Sequence, residues 1–88
     1  MSNKFIVRFY FSEKEFIQLP MKAANYQIIS DKIISAFKGD KWISFPSKEG
    51  LRKIDCTTIF LEKIMYFQIE KPTKVLLEKY SEEDYITW

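Results

Sequence analysis

The chain has no histidine, one cysteine and two glycines among its 88 residues. The commonest general base, metal ligand and pH switch is therefore missing. The lone Cys56 excludes an internal disulfide and a thiolate metal cluster, and we expect its side chain to pack in the core. Gly39 and Gly50 are too far apart to form a glycine-rich phosphate loop. The sequence predicts a protein that is not an enzyme and takes no metal, cofactor or small-molecule substrate.

Long hydrophobic runs are also missing. The longest apolar runs contain only a few residues, far fewer than the roughly 20 that a membrane span needs. Near the N-terminus, Lys4 and Arg8 enclose just three apolar residues, which is not the pattern of a signal peptide. We therefore expect a cytoplasmic protein that makes no membrane contact.

Aromatic residues, in contrast, are abundant. They make up 17% of the chain, and 47% of all residues are apolar, enough for one small domain with a core. The formal net charge is only +2. This balance lacks the dense basic footprint that is typical of duplex-binding proteins.

Hydrophobic periodicity predicts the secondary structure. Alternation of period two indicates five strands, over residues 4–12, 16–19, 41–45, 51–59 and 64–70. Helical spacing indicates a main helix over 23–38 and a short one over 73–80. The order β-β-α-β-β-β predicts an α+β fold: a single antiparallel sheet of four or five strands with one helix packed across it. A small half-open barrel is the alternative. Residues 1–70 form the body, and 71–88 form a C-terminal helix, strap or tail.

Two features favour a protein partner. Ile28 and Ile34 lie off the main apolar stripe of the helix and suggest a second contact surface. In the tail, Tyr85 and Trp88 are typical interface anchors, and acids such as Asp84 steer toward a basic partner. The alternative for the tail is a frayed end, or a strap packed on its own domain.

The face of the sheet opposite the helix supports a different function. Strand alternation places aromatic and basic side chains on this face: Arg8, Tyr10, Trp42, Lys53 and Tyr66. Bases of a single strand stack on aromatic rings while cations meet phosphates, so single-stranded nucleic acid is the second candidate partner. Two other interpretations stay open. The C-terminal helix could cover this face, or the face could form a homodimer interface.

Composition adds a clue about origin. Lysine outnumbers arginine 12 to 2, and 12 isoleucines accompany only 3 alanines, which indicates AT-rich codons. Over its whole length the chain resembles small accessory proteins of phages and conjugative elements from low-GC bacteria. The resemblance implies an inhibitor or regulator that occupies a surface of another protein, such as a nucleic-acid-handling or defence enzyme. A structural or self-assembling phage component is a further alternative.

Overall fold

A computed structural model describes residues 3–49 and 52–87 of the chain, with side chains for 3–45 and 58–87. The strands are β1 (Asn3–Tyr10), β2 (Phe16–Ala23), β3 (Trp42–Glu49), β4 (Arg52–Phe60), β5 (Tyr66–Glu70) and β6 (Ile86–Thr87). The helices are α1 (Tyr26–Lys38) and α2 (Lys74–Lys79), with 3₁₀ turns at Leu61–Lys63 and Glu82–Asp84. The fold is α+β, as the sequence predicts. No helix in these ranges is long and apolar enough to cross a bilayer.

The main sheet has four strands in the order β5-β1-β2-β6. Strand β1 lies in the middle, antiparallel to both β2 and β5. Strand β6 pairs in parallel with Met21 and Lys22 of β2. The expectation of a purely antiparallel sheet is therefore wrong at this edge, because the C-terminal segment returns alongside β2 in the same direction.

Strands β3 and β4 do not join this sheet; they form a separate antiparallel hairpin. Phe45 and Ile59, on its inner face, are buried against the same side of the main sheet as α1. The ring of Phe45 lies 6.1 Å from that of Phe9 on β1. The prediction of one sheet is wrong, because the hairpin buries its inner face in the core and does not pair with an edge of the main sheet. The hairpin instead packs as a second layer.

Helix α1 begins and ends close to the predicted positions. The side-chain oxygen of Asn25 accepts a hydrogen bond from a first-turn N–H (3.2 Å) and caps the helix. Ile29 and Ile33 are fully buried in the core. Gly39 follows the helix with φ −96°, whereas the left-handed conformation occurs two residues later, at Lys41 (φ 67°). The sequence therefore locates the end of the helix but misplaces its left-handed residue.

Strand β2 runs through Pro20, a residue that in the sequence predicts either the end of the strand or an edge position. Pro20 pairs with Ile6 of β1, and the strand continues to Ala23. On the other edge, β6 reaches only Met21 and Lys22. Within the described residues no strand pairs with the edge beside Pro20, so a residue without an N–H is tolerated there.

Candidate interaction surface

Three aromatic side chains form a row across the open face of the main sheet. Tyr10 of β1 lies between Phe16 of β2 and Tyr66 of β5, its direct cross-strand neighbours. The rings of Tyr10 and Tyr66 stack with centroids 4.5 Å apart, and the Tyr10 and Phe16 rings are 5.2 Å apart. We call Phe16, Tyr10 and Tyr66 the aromatic row. Phe16 and Tyr66 are substantially exposed, so the row presents ring surface to solvent.

Arg8 lies next to the aromatic row, but its guanidinium already forms an ion pair within the sheet. Its guanidinium pairs with the Glu70 carboxylate and donates from Nε to Oε1 of Gln18 (2.8 Å). Gln18 in turn donates from Nε2 to the hydroxyl of Tyr80 (3.1 Å). Only 18% of the Arg8 side chain is exposed. The single arginine beside the row is thus held by an acid of its own sheet.

Two of the five residues predicted for the nucleic-acid face lie elsewhere. Arg8, Tyr10 and Tyr66 are brought together as expected. Trp42 is on β3 opposite Phe60 of β4, in the separate hairpin, where it is exposed. Lys53 is on the same hairpin, and its side chain lies outside the described residues, as does that of Cys56. The correction follows from the two-sheet architecture, because alternation along a strand does not reveal which sheet the strand joins.

The C-terminal residues 80–87 form a strap across the other end of this face. Tyr85 is only 6% exposed, its ring lying near the ammonium groups of Lys4 (5.1 Å) and Lys22 (5.8 Å). Glu82 forms ion pairs with the same two lysines. Hydrogen bonds from Lys22 and Lys4 lower the pKa of the Glu82 carboxyl to about 2, and the bond to Glu82 raises the pKa of Lys4. Charge pairing and aromatic burial together hold the strap on the sheet.

The strap corrects the prediction of a free docking tail. Asp84 accepts hydrogen bonds from the backbone N–H (2.9 Å) and hydroxyl of Ser81, which closes the local 3₁₀ turn. Tyr85 is buried against its own domain, as the alternative interpretation of the tail expected. Both residues are used internally because the strap can pair with an open edge of β2. Trp88 lies outside the described residues.

Coverage of the second face is partial and comes mainly from the strap. Ile6, on this face, is fully buried. Helix α2 contributes less than expected, because Val75 is 73% exposed and Leu77 is also exposed. The face is therefore closed near Ile6 and Tyr85 and open at the aromatic row.

The two isoleucines predicted on the back of α1 have different surroundings. Ile28 is half-buried and packs against the main core, so it offers less surface to a partner than its position off the stripe predicts. Ile34 is exposed. The difference arises because the core wraps around α1 further than the main stripe of the helix indicates.

Ile34 lines a groove between the C-terminal half of α1 and the start of β5. The exposed side chains of the groove are Ile34, Phe37, Met65 and Tyr66, each 41–60% accessible. Its remaining lining residues are the more buried Ile33, Leu61, Ile64 and Phe67. The groove encloses about 270 Å³. Tyr66 also belongs to the aromatic row, whose rings lie on the sheet face opposite α1, so the groove and the row meet at the β5 edge.

Sequence reasoning misses half of the exposed groove. Phe37 falls on the predicted core stripe of α1, and Met65 falls on the inward side of the fifth strand. Both are more than half exposed in the structure. Each lies at the end of its element, where the core no longer extends. The periodicity of the two residues does not indicate that they are exposed. The only indication in the sequence is that Phe37 lies near the end of a helix and Met65 lies just before a strand.

Within the described residues, no three histidine, cysteine or acidic side chains form a group that could hold a metal ion. No protein-family model matches this chain, and neither a curated protein nor a solved structure gives a significant match.

Proposed function

We propose that this protein is a non-catalytic protein-binding module whose contact surface is the groove. The observation that carries the proposal is that four exposed large apolar residues line one groove, Ile34, Phe37, Met65 and Tyr66. Contiguous apolar surface of this kind marks interaction sites in soluble proteins. Two of the four side chains are aromatic and one is methionine, which are types enriched at interfaces.

Its biological role is that of a small phage or mobile-element inhibitor or regulator in the cytoplasm. The compositional resemblance supports this origin, and a partner that handles nucleic acid or serves in defence fits it. Such a protein acts by occupying a surface of its partner. With a net charge of +2, it does not act by imitating the acidic surface of DNA.

Lysine substitutions in the groove test this proposal. We expect Ile34→Lys and Met65→Lys, one on each wall, each to abolish capture of a partner from a lysate of the host cell. A charge placed in the centre of an apolar interface is desolvated without a counter-ion. Capture is measured with the immobilised full chain and confirmed with the purified partner by calorimetry.

Val75→Lys is the matched control, because Val75 is also an exposed aliphatic residue but lies outside the groove. It should capture the same partner as the unmodified chain. Equal retention of that partner by the groove variants and the control would contradict the assignment of the groove. Circular dichroism of each variant establishes that the fold is intact.

Single-stranded nucleic-acid binding is the second candidate function, and the aromatic row favours it. Three rings in a line across β2, β1 and β5 offer a surface on which successive bases stack. The pairing of Arg8 with Glu70 weakens this candidate, since it removes the cation next to the rings from phosphate binding.

The nucleic-acid candidate predicts a specific loss on substitution. Tyr66→Ala should weaken binding of a labelled single-stranded oligonucleotide by about 1–3 kcal/mol if one base stacks there. Trp42→Ala is the control, because Trp42 lies on the separate hairpin and should leave the affinity unchanged. Fluorescence anisotropy at low and moderate salt measures both. Equal effects of the two substitutions would exclude the aromatic row as the binding site.

A further inference from the structure

The outer edge of β5 has no partner strand in the described parts of the chain. Strand β5 is the terminal strand of the main sheet, and its other edge pairs with β1. Its five residues, Tyr66–Glu70, contain neither lysine nor proline, the residues that commonly block such an edge. One row of backbone N–H and C=O groups is therefore free to pair with an added strand.

This free edge borders the groove. Tyr66 and Phe67 of β5 line the groove, and Ile34 and Phe37 of α1 form its opposite wall. A strand laid along β5 directs every second side chain to the face on which α1 packs. One extended segment can therefore pair its main chain with β5 and place apolar side chains in the groove. This is the geometry of β-strand addition.

The charges around the β5 edge are predominantly positive once the ion pairs are taken into account. The two nearby acids are already paired, Glu70 with Arg8 and Glu62 with Lys41 (3.3 Å). Lys63 precedes β5 and Lys71 follows it. Both lysines are exposed and make no ion pair with any described residue. The edge therefore presents an uncompensated positive charge at each end.

From these features we infer that the groove is occupied by an extended acidic segment of another protein, which adds to β5 as a fifth strand. The inference rests on the proposed protein-binding function and names the chemistry of its partner. The segment carries alternating apolar residues over the groove, with aspartate or glutamate at its ends facing Lys63 and Lys71. Opposite charges across paired strands favour this register.

The same lysines oppose a second copy of the chain as the occupant. The antiparallel self-pairing centred on Phe67 places Lys71 of each copy directly opposite Lys63 of the other. The self-pairing centred on Gln68 separates these two lysines by only two positions along the strand. Like charges facing each other across paired strands are destabilising.

A displayed library of random twelve-residue peptides, selected on the immobilised full chain, tests the inference. We expect enriched peptides with alternating apolar residues and acidic ends. Their binding should shift the NMR signals of the Tyr66–Glu70 amides and slow the hydrogen exchange of those that point outward. Affinity should fall as the salt concentration rises, because the end contacts are exposed ion pairs.

Charge reversal supplies the matched variants. Lys63→Glu combined with Lys71→Glu should weaken the selected acidic peptides about five- to tenfold at low salt. Lys14→Glu combined with Lys79→Glu makes the same change in net charge away from the β5 edge, since Lys14 lies between β1 and β2 and Lys79 lies beside Tyr80, whose hydroxyl accepts a hydrogen bond from β2. This control should alter the affinity less than twofold. Both variants replace exposed side chains, so the fold is retained.

Three results of the peptide experiments would overturn the inference. They are a library that yields no peptide sensitive to Ile34→Lys, enriched peptides without acidic ends, and binding that leaves the β5 amides unshifted. A concentration-dependent dimer, detected by light scattering, that protects these amides from hydrogen exchange would overturn the inference as well. In each case, loss of host-protein capture with Ile34→Lys would still support the groove as a binding site, so the two proposals can fail separately.

Discussion

Phe9→Ala is expected to lower the free energy of unfolding by about 3–5 kcal/mol. Phe9 is fully buried in the central strand, with its ring centroid 6.1 Å from that of Phe45 and 6.3 Å from that of Phe67. It therefore joins two layers of the core, the hairpin and the main sheet, and within the main sheet it contacts the edge strand β5. A cavity at this point cannot be closed by one element alone, because each of the others is held by its own contacts.

The size of this loss is comparable to the whole stability of a small domain, which is about 5–15 kcal/mol. Urea denaturation followed by circular dichroism measures it. Phe16→Ala is the matched control: Phe16 is exposed on the same sheet, and its loss should cost less than about 1 kcal/mol. Similar costs for the two substitutions would show that Phe9 does not link the layers of the core.

Tyr85→Ala is expected to release the strap. Tyr85 is nearly buried, and its ring packs against that of Tyr80 with a centroid distance of 6.1 Å. Removal of the ring should cost about 2–4 kcal/mol. Because the strap is terminal, part of this loss appears as local opening rather than global unfolding. Faster hydrogen exchange at Met21 and Lys22, which pair with β6, measures the opening.

Tyr85→Phe separates the role of the ring from that of the hydroxyl. The Tyr85 hydroxyl is buried and has no hydrogen-bond partner among the described residues. A buried polar group without a partner carries a desolvation penalty. Tyr85→Phe should therefore leave stability unchanged or raise it by up to about 1 kcal/mol. A clear loss of stability with this substitution would mean that the hydroxyl is bonded when the strap is docked.

Local patterns predicted most of the elements. The strict alternation around Phe5, Val7 and Phe9 indicated β1, and all three side chains are buried. The helical spacing of Ile29 and Ile33 indicated α1. These predictions succeeded because the spacing of apolar residues in a short segment shows whether it is a strand or a helix and which side faces the core.

The candidate surface was predicted less completely. Ile34, Tyr10 and Tyr66 were singled out by their positions on the outer sides of their elements, and all three border the exposed surface. Phe37 and Met65 were missed because their periodicity is that of core residues. Whether such a residue is covered depends on where the opposing layer ends, which is a property of the packed structure.

By itself, the sequence determined the α+β class, the order of the elements in residues 1–70 and the lack of histidine chemistry. These are properties of composition and of short stretches of chain. Tertiary structure alone decided that β5 pairs with β1, that β3 and β4 form a separate layer, and that the strap buries Tyr85. The physical reason is that a strand presents the same alternation to any edge. Its partner is chosen by competition among all available edges and by the apolar area each arrangement buries.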